Sequence, residues 1–189
     1  MIIVVDTETT HYKPELAHVI EIGAIGIDPE GRIHQFEELC DPGVIEDIDL
    51  VALEKALSIN GISHEEVLSA RPSEIVAEDF RSWLDLIEEE YSVQLAGYNS
   101  WNYDSRILHR DPWNISRGSW KFDVMKMCMD PMGKAGVLPV HPYYGTYKWP
   151  KLSEAEEYFK IERKGVSHRA LSDARATMDI LFMLNPGVF

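Results

Sequence analysis

Residues 2–10 read IIVVDTETT, and the predicted fold is built around this stretch. The β-branched run at residues 2–5 is typical of a buried central strand. Asp6 and Glu8 follow directly, and residues two apart on an extended strand point to the same side. Two neighbouring carboxylates repel each other unless a cation lies between them. The stretch by itself is compatible with a site for divalent cations, which prefer oxygen ligands, and equally with a solvated turn after the strand.

The strands and helices predicted after this strand indicate an α/β protein. Two more strands, at residues 19–27 and 32–39, are expected to form an antiparallel meander with the first. Alternating helices and strands follow, so the expected architecture is a central mixed five-stranded sheet with helices on both faces. The remaining predicted strands lie at residues 93–97 and 120–125.

Helical spacing and capping residues predict the helices. Ser63 with Glu66, and Ser153 with Glu156, each fit a capping box at the start of a helix. Residues 131–150 are rich in proline and glycine and are predicted to form a long loop, which in a compact domain is often functional. The predicted helices cover residues 49–58, a short segment after Ser63, 74–90, 104–109, a segment ending near 159, and a last helix ending near 184.

The length of 189 residues favours one domain, residues 1–189, with a substantial core. No apolar run approaches the roughly 18–20 residues needed to span a bilayer, and no secretory signal is recognised at the N-terminus. Cys40 and Cys128 are the two cysteines, far apart in sequence, and are expected to be reduced thiols. Together these features predict a cytoplasmic protein without a membrane partner.

The formal net charge of −14 is unevenly distributed along the chain. Residues 1–95 contain 5 Lys and Arg against 22 Asp and Glu, a net −17, whereas residues 96–189 contain 13 against 10, a net +3. A polyanionic partner should therefore approach the second half of the chain, or meet the acids together with bound cations.

Further polar residues follow at distant points of the chain. Asp104 lies near the start of a predicted helix, where the helix dipole alone favours an acid. His168 and Asp173 precede and open the last helix. A five-residue step turns a helix by about 140°, so the two can serve one site if His168 lies on the preceding loop and Asp173 in the first turn.

Taken in order, Asp6-x-Glu8, Asp104 and His168-x4-Asp173 resemble the motifs of the DEDD superfamily of DnaQ-like 3′–5′ exonucleases, in its histidine subtype (DEDDh). Segments at residues 60–62, 121–125 and 152–155 also resemble parts of that family, so the likeness spans nearly the whole chain. Each motif is weak alone, and the ordered set is much more specific. The resemblance implies a ribonuclease H-like fold.

The resemblance also implies a chemistry. Asp6, Glu8, Asp104 and Asp173 would bind two divalent cations, Mg²⁺ or Mn²⁺, and His168 would be the catalytic general base. The implied partners are 3′ ends of single-stranded DNA or RNA, and the implied products are nucleoside 5′-monophosphates. A homodimer is compatible with the sequence.

Substrate contacts are implied at four positions. The backbone around Thr7 and Thr9 would meet the terminal nucleotide, and Ile62 would be an apolar wedge against the terminal base. Asn99 lies in Asn99-Ser100, where proofreading members of the family have His-Asn and which is more similar to oligoribonuclease-like members. One or two of five neighbouring aromatic residues are expected to stack on nucleic acid, although aromatics usually fill cores: Tyr98, Trp101, Tyr103, Trp113 and Trp120.

Two alternatives remain open at this point. A haloacid-dehalogenase-type phosphatase also has an acid after its first strand, but it needs a second Asp where this chain has Glu8, and a late Gly-Asp-x-x-x-Asp-like segment that we do not find. A nuclease fold that has lost activity and binds nucleic acid is the other alternative, although every expected site residue is present.

Overall fold

A computed structural model describes residues 1–43, 49–141 and 145–187. Its sheet has the strand order β4-β3-β2-β1-β5-β6, with β1–β2–β3 antiparallel and β1–β5–β6 parallel. The strands are β1 (Ile2–Thr9), β2 (Val19–Ile27), β3 (Ile33–Asp41), β4 (Arg71–Pro72), β5 (Gln94–Gly97) and β6 (Trp120–Asp123). The helices are α1 (Leu50–Asn60), α2 (His64–Ser69), α3 (Ser73–Glu88), α4 (Asp104–Ile107), α5 (Val124–Lys134), α6 (Leu152–Phe159) and α7 (Ala170–Leu184).

The mixed sheet and its meander are confirmed, but the predicted number of five strands is wrong, because the sheet has six. The additional strand, β4, has two residues and pairs with the end of β3. Its Pro72 lies at the sheet margin, where the missing N–H group of proline is tolerated. A pair this short has no alternation of side chains, and the sequence pattern could not reveal it.

Two predictions on the second half of the chain are also wrong. Residues 131–134, expected in a loop, form the last turn of α5, a helix that the proline and glycine pattern concealed. Gly133 in this turn packs against the Tyr147 ring, which an added Cβ would meet at 2.2 Å. Residues 142–144 of the predicted loop lie outside the described residues. Helix α6 begins after Lys151, whose N–H group donates to Glu154 at 2.7 Å, so the predicted Ser153–Glu156 capping box is not its start.

Alternation along β1 divides the apolar residues between two layers. Ile3 and Val5 pack in a cluster with α3, in which Phe80 is central. Ile2 and Val4 pack on the opposite side in a cluster with residues of α5, α6 and α7. Helices therefore cover both faces of the sheet, as predicted. In the described ranges, no helix is both long enough and apolar enough to cross a bilayer.

Gly23 lets the start of α7 lie directly against β2. It is opposite Asp6 in the β1–β2 pair, and a Cβ at this position would be 2.1 Å from the backbone nitrogen of Leu171 and 2.3 Å from the carbonyl carbon of Ala170. Because those atoms belong to helix backbone, a side chain here would push the whole helix away. Close approach at Gly23 thus brings the first turn of α7 to the acidic end of β1.

We expect Gly23→Ala to lower the free energy of unfolding by at least about 1–3 kcal/mol, the usual cost of overpacking. Urea unfolding followed by circular dichroism measures the change. Gly118→Ala is the matched control, because its Cβ would meet only the Ser116 hydroxyl at 3.4 Å. Equal stability of Gly23→Ala and the unsubstituted protein would contradict the close packing.

Candidate active site

Strand β1 presents Asp6 and Glu8 on the side of the sheet that α7 covers. Ile2 and Val4 pack against α5–α7, and because side chains two apart share a face, Asp6 and Glu8 continue this row. Both acids are partly buried. The apolar half of the strand anchors it in the core, and its last residues extend the row into a polar cleft.

Asp104 reaches the same place from the loop that follows β5. It is 3% exposed and is the first residue of α4. The hydroxyl of Thr7, between the two strand acids, donates to Asp104 Oδ1 at 2.7 Å. Since β1 and β5 are parallel neighbours, the chain leaves both strands at one edge of the sheet, where open α/β sheets form their clefts.

His168 and Asp173 lie as the sequence predicted, on the loop before α7 and in its first turn. His168 has a left-handed backbone with φ of 61°, and its N–H group donates to Asp173 Oδ1 at 3.3 Å. The turn directs the exposed imidazole back towards the strand. Ligand atoms of Glu8, His168 and Asp173 all lie within 4.8 Å of one another.

Burial, and for Asp6 and Glu8 also the neighbouring acids, raises the pKa values of three acids of the site. Burial contributes most to raising the pKa of Asp6 well above its usual value, and Asp104, Asp173, Glu8 and Glu21 raise it further. The pKa of Glu8 is raised to about 8, first by burial and then by neighbouring acids, and a hydrogen bond from Asn60 opposes the shift. Burial raises the pKa of Asp104 to about 7 against the hydrogen bond from Thr7.

These residues fit hard divalent cations. Carboxylate oxygens are the ligands that such ions prefer, and the raised pKa values of Asp6, Glu8 and Asp104 are those expected of buried carboxylates without a compensating cation. Asp6, Glu8, Asp104 and Asp173 supply the oxygens, and His168 adds an imidazole nitrogen at the border of the cluster.

A fifth acid, Glu21, was missed by the sequence reasoning. It lies opposite Glu8 in the β1–β2 pair and is fully buried. Arg169 neutralises it, since Arg169 Nε donates to both carboxylate oxygens at 2.9 and 3.1 Å. The N–H group of Ala170 donates a further bond at 2.9 Å. Glu21 thereby fixes the residues directly after His168, and the signal that could have revealed it was an acid inside the apolar strand 19–27.

Arg163 is the second cation of the site. It forms an ion pair with Asp173 and another, at 2.8 Å, with Glu156 of α6. Its side chain is largely buried. Arg163 therefore holds the carboxylate of Asp173 beside α6 and lowers the net negative charge of the cluster. Nothing in the sequence pattern distinguished it from the other basic residues of this region.

The four predicted substrate residues differ in what they can offer. The Thr9 hydroxyl is engaged with Tyr103 Oη at 2.5 Å, and the Thr7 hydroxyl with Asp104. Asn99 has a left-handed backbone, and its side-chain oxygen accepts from Asn102 at 3.0 Å. The two hydroxyls thus join β1 to the segment at the start of α4, and the Asn99 amide bonds within the loop before that helix.

Ile62 does not have the surface that its predicted role as a wedge requires. It is 2% exposed and packs in a cluster with Leu53, Leu57 and Ile20. A base could meet its side chain only if Ile62 left this cluster.

Comparison with protein families matches residues 3–181 to the RNase_T model, described as "Exonuclease". A search of curated proteins finds no match. Among solved structures, the chain is similar to cell-death related nuclease 4 (CRN-4), with a TM-score of 0.71 and 17% identity over 98% of this chain and 64% of that one.

Two further nuclease structures extend the likeness. E. coli exonuclease I in complex with a dA16 oligonucleotide has a TM-score of 0.68 and 17% identity, over 98% of this chain and 40% of that one. Exonuclease X in complex with 5′ overhanging duplex DNA has a TM-score of 0.63 and 18% identity, over 100% and 93%. The chain spans 64% of CRN-4 and 40% of exonuclease I. At these identities the likeness shows the fold, which is ribonuclease H-like.

Without metal, the acid cluster should make the protein less stable as pH rises. The folded-state pKa values of Glu8 and Asp104, about 8 and about 7, exceed their ordinary values of 4.5 and 3.8. The folded protein therefore binds more protons than the unfolded chain between about pH 4 and pH 8, and the free energy of unfolding falls as pH rises through this window. Asp6→Asn removes one of the repelling charges.

We expect metal-free Asp6→Asn to melt above the unsubstituted protein at about pH 8 and close to it at about pH 5. Thermal melts in chelator at both pH values measure this difference, and Mg²⁺ or Mn²⁺ should raise the melting temperature of the unsubstituted protein more. Asp179→Asn, on α7 but not among the acids that raise the Asp6 pKa, is the control. A lower melting temperature for Asp6→Asn at the higher pH would contradict the repulsion.

Arg169→Met should lower the free energy of unfolding by about 3–5 kcal/mol, because it leaves Glu21 buried without its counter-ion. Urea unfolding in chelator measures this loss. The double variant Glu21→Leu with Arg169→Met should recover most of it, since no buried charge remains. Arg175→Met is the control, because that arginine bonds the neutral side chain of Gln35. A loss as large in the double variant as in Arg169→Met would contradict a specific ion pair.

Proposed function

Because the chain belongs to the RNase_T exonuclease family, within the DEDD superfamily, we propose that it is a metal-dependent 3′–5′ exonuclease of the histidine subtype. It would release nucleoside 5′-monophosphates from single-stranded DNA or RNA. Residues 1–189 would form a single exonuclease domain. The family match assigns the chain to a different superfamily from the haloacid-dehalogenase-type phosphatases.

One observation carries the proposal: acids far apart in sequence converge on one cleft with a histidine at its border. β1 provides Asp6 and Glu8, the start of α4 provides Asp104, and the first turn of α7 provides Asp173. The pKa of Asp6 responds to the other three. A solvated turn or a structural ion pair does not explain why a fold would gather them, since each added carboxylate raises the energy of the others.

The proposed metal ligands are the four carboxylates, and the cations are two Mg²⁺ or Mn²⁺ ions. When bound there, such cations would supply Lewis-acid stabilisation of the charge that develops in an in-line phosphoryl displacement. The preference for nucleic acid is supported by the exonuclease I and exonuclease X structures, which contain DNA.

His168 has the geometry of a general base. Its imidazole is exposed at the entrance of the cleft, within 4.8 Å of ligand atoms of Glu8 and Asp173. It can therefore accept the proton of a water that attacks the terminal phosphorus, directly or through a second water. The bond that breaks joins this phosphorus to the 3′ oxygen of the preceding nucleotide. A 5′-monophosphate and a strand shortened by one nucleotide result.

Within this mechanism, the other residues act by positioning. The Glu21–Arg169 pair fixes the turn after His168, and Arg163 fixes Asp173. Thr7 orients Asp104 through its 2.7 Å hydrogen bond. The site is consequently held on a strand and on two helix starts, and small displacements of a catalytic group are costly.

The test is a denaturing gel of 5′-labelled single-stranded DNA and RNA with Mg²⁺, Mn²⁺ or chelator. We expect a ladder of products that shorten one nucleotide at a time in the presence of either ion, and none in chelator. Asp6→Asn should abolish the ladder, because it removes a ligand of the cations. His168→Ala should slow it roughly 10²–10⁴-fold, the usual contribution of a general base.

His109→Ala is the control for His168→Ala, since His109 is also exposed but bonds the Ile115 carbonyl, away from the acids. Release of a 5′-terminal nucleotide as the first product would contradict the polarity. Oligonucleotide binding without cleavage under any metal condition would favour the inactive binding module. An unchanged rate in His168→Ala would remove that residue from its role.

A further inference from the structure

Of the five aromatic residues among which a stacking partner is expected, Trp101 is exposed and has a fixed backbone. Trp113 and Trp120 are 3% and 6% exposed and belong to the core. The hydroxyls of Tyr98 and Tyr103 bond backbone carbonyls of Pro150 and His11, respectively. Trp101 is 42% exposed, although a ring of this size is usually well buried.

The loop holds Trp101 from both sides. The backbone N–H group of Trp101 donates to Asp123 Oδ2 at 3.3 Å, and its backbone carbonyl accepts from the Ser105 hydroxyl at 3.2 Å. The adjoining N–H group of Asn99 donates to Asp123 Oδ1 at 3.1 Å. The ring is therefore mounted on a segment whose backbone is already ordered, so a ligand that stacks on it loses little further conformational entropy.

Lys126 stands over this ring. Its Nζ lies 4.7 Å from the ring centroid. The backbone N–H group of Lys126 donates at 3.4 Å to the same carboxylate of Asp123, the residue that caps the start of α5. One buried carboxylate thus sets both the tryptophan loop and the helix that carries the lysine. In the described ranges, no carboxylate oxygen lies within 4.0 Å of Lys126 Nζ, so its charge is available to a ligand.

Trp101 is three residues before Asp104, one of the four acids of the site. Three residues span at most about 10–11 Å, and a nucleic-acid strand advances by about 3.4 Å or more per nucleotide. A strand whose terminal phosphate lies at the acids can therefore pass Trp101 within about three nucleotides of its end. Trp101 and Lys126 combine a stacking surface with a positive charge, as single-strand binding sites do.

We propose that Trp101 and Lys126 form a binding subsite for the second or third nucleotide from the strand end. The base stacks on the exposed part of the Trp101 indole, and Lys126 contacts a neighbouring phosphate. This inference rests on the proposed function and adds a specific site to it. Stacking tolerates any base, so the subsite favours unpaired strands without selecting a sequence.

The test measures binding of fluorescein-labelled single-stranded oligothymidylates by anisotropy, with Ca²⁺ in place of Mg²⁺ and intact oligonucleotide verified on a gel. Trp101→Ala should weaken binding of an octanucleotide roughly 5- to 100-fold, and should affect a dinucleotide less. Trp101→Phe should restore most of the affinity, because it keeps a ring. The control Leu86→Ala removes an exposed apolar side chain from a different element, α3, and should leave the affinity unchanged.

Lys126→Ala gives an independent readout. It should reduce the slope of log affinity against log salt by about 0.7, the value for one phosphate contact on a single strand. Lys134→Ala is the matched control, since Lys134 lies on the same helix and pairs with Asp130 at 2.7 Å, and its slope should match that of the unsubstituted protein.

Equal octanucleotide affinity in Trp101→Ala and the unsubstituted protein would overturn the subsite, as would a salt slope unchanged by Lys126→Ala. In either case the exonuclease proposal would stand if cleavage persists. An unsubstituted protein that neither binds nor cuts oligonucleotides would overturn both. Circular dichroism of each variant verifies folding, and Trp101→Phe and Lys126→Ala keep the test decisive if Trp101→Ala unfolds.

Discussion

Repulsion among carboxylates is the interaction around which this molecule is arranged. Burial disfavours the charged forms of Asp6, Glu8 and Asp104, and nearby acids raise the pKa values of Asp6 and Glu8 further in a cleft where water screens them weakly. The fold neutralises part of this charge. Arg169 pairs with Glu21, and Arg163 pairs with Asp173. The acids of β1 and Asp104 have no arginine of this kind in the described ranges, and they are among the proposed ligands of the cations.

The architecture explains how such a cluster is held in place. β1 is central, and its first residues pack into two apolar layers on opposite faces, so the strand end that carries the acids cannot retreat. Gly23 allows the backbone of α7 to press on β2, which brings Asp173 to the strand. A cleft forms at the ends of the parallel strands β1 and β5. The repulsion among its carboxylates favours the binding of positive charge there.

Much of this was predictable from the sequence, because it is local. Strand β2 and the last helix show clear apolar patterns and end at clear turn signals, and the acids stand at recognisable spacings. What failed depends on partners distant in sequence. Helix α5 contains a proline and a glycine that read as a loop, and only the Tyr147 ring explains the glycine. Arg163 gains its surroundings from tertiary packing, and β4 is too short to leave a pattern.

We propose above all that four carboxylates from β1, α4 and α7 together bind a pair of divalent cations. The most direct measurement is the anomalous difference density of protein crystals soaked in Mn²⁺. We expect two anomalous peaks among the side chains of Asp6, Glu8, Asp104 and Asp173. Peaks elsewhere on the acidic surface with none among these residues, at a Mn²⁺ concentration that supports cleavage, would contradict it.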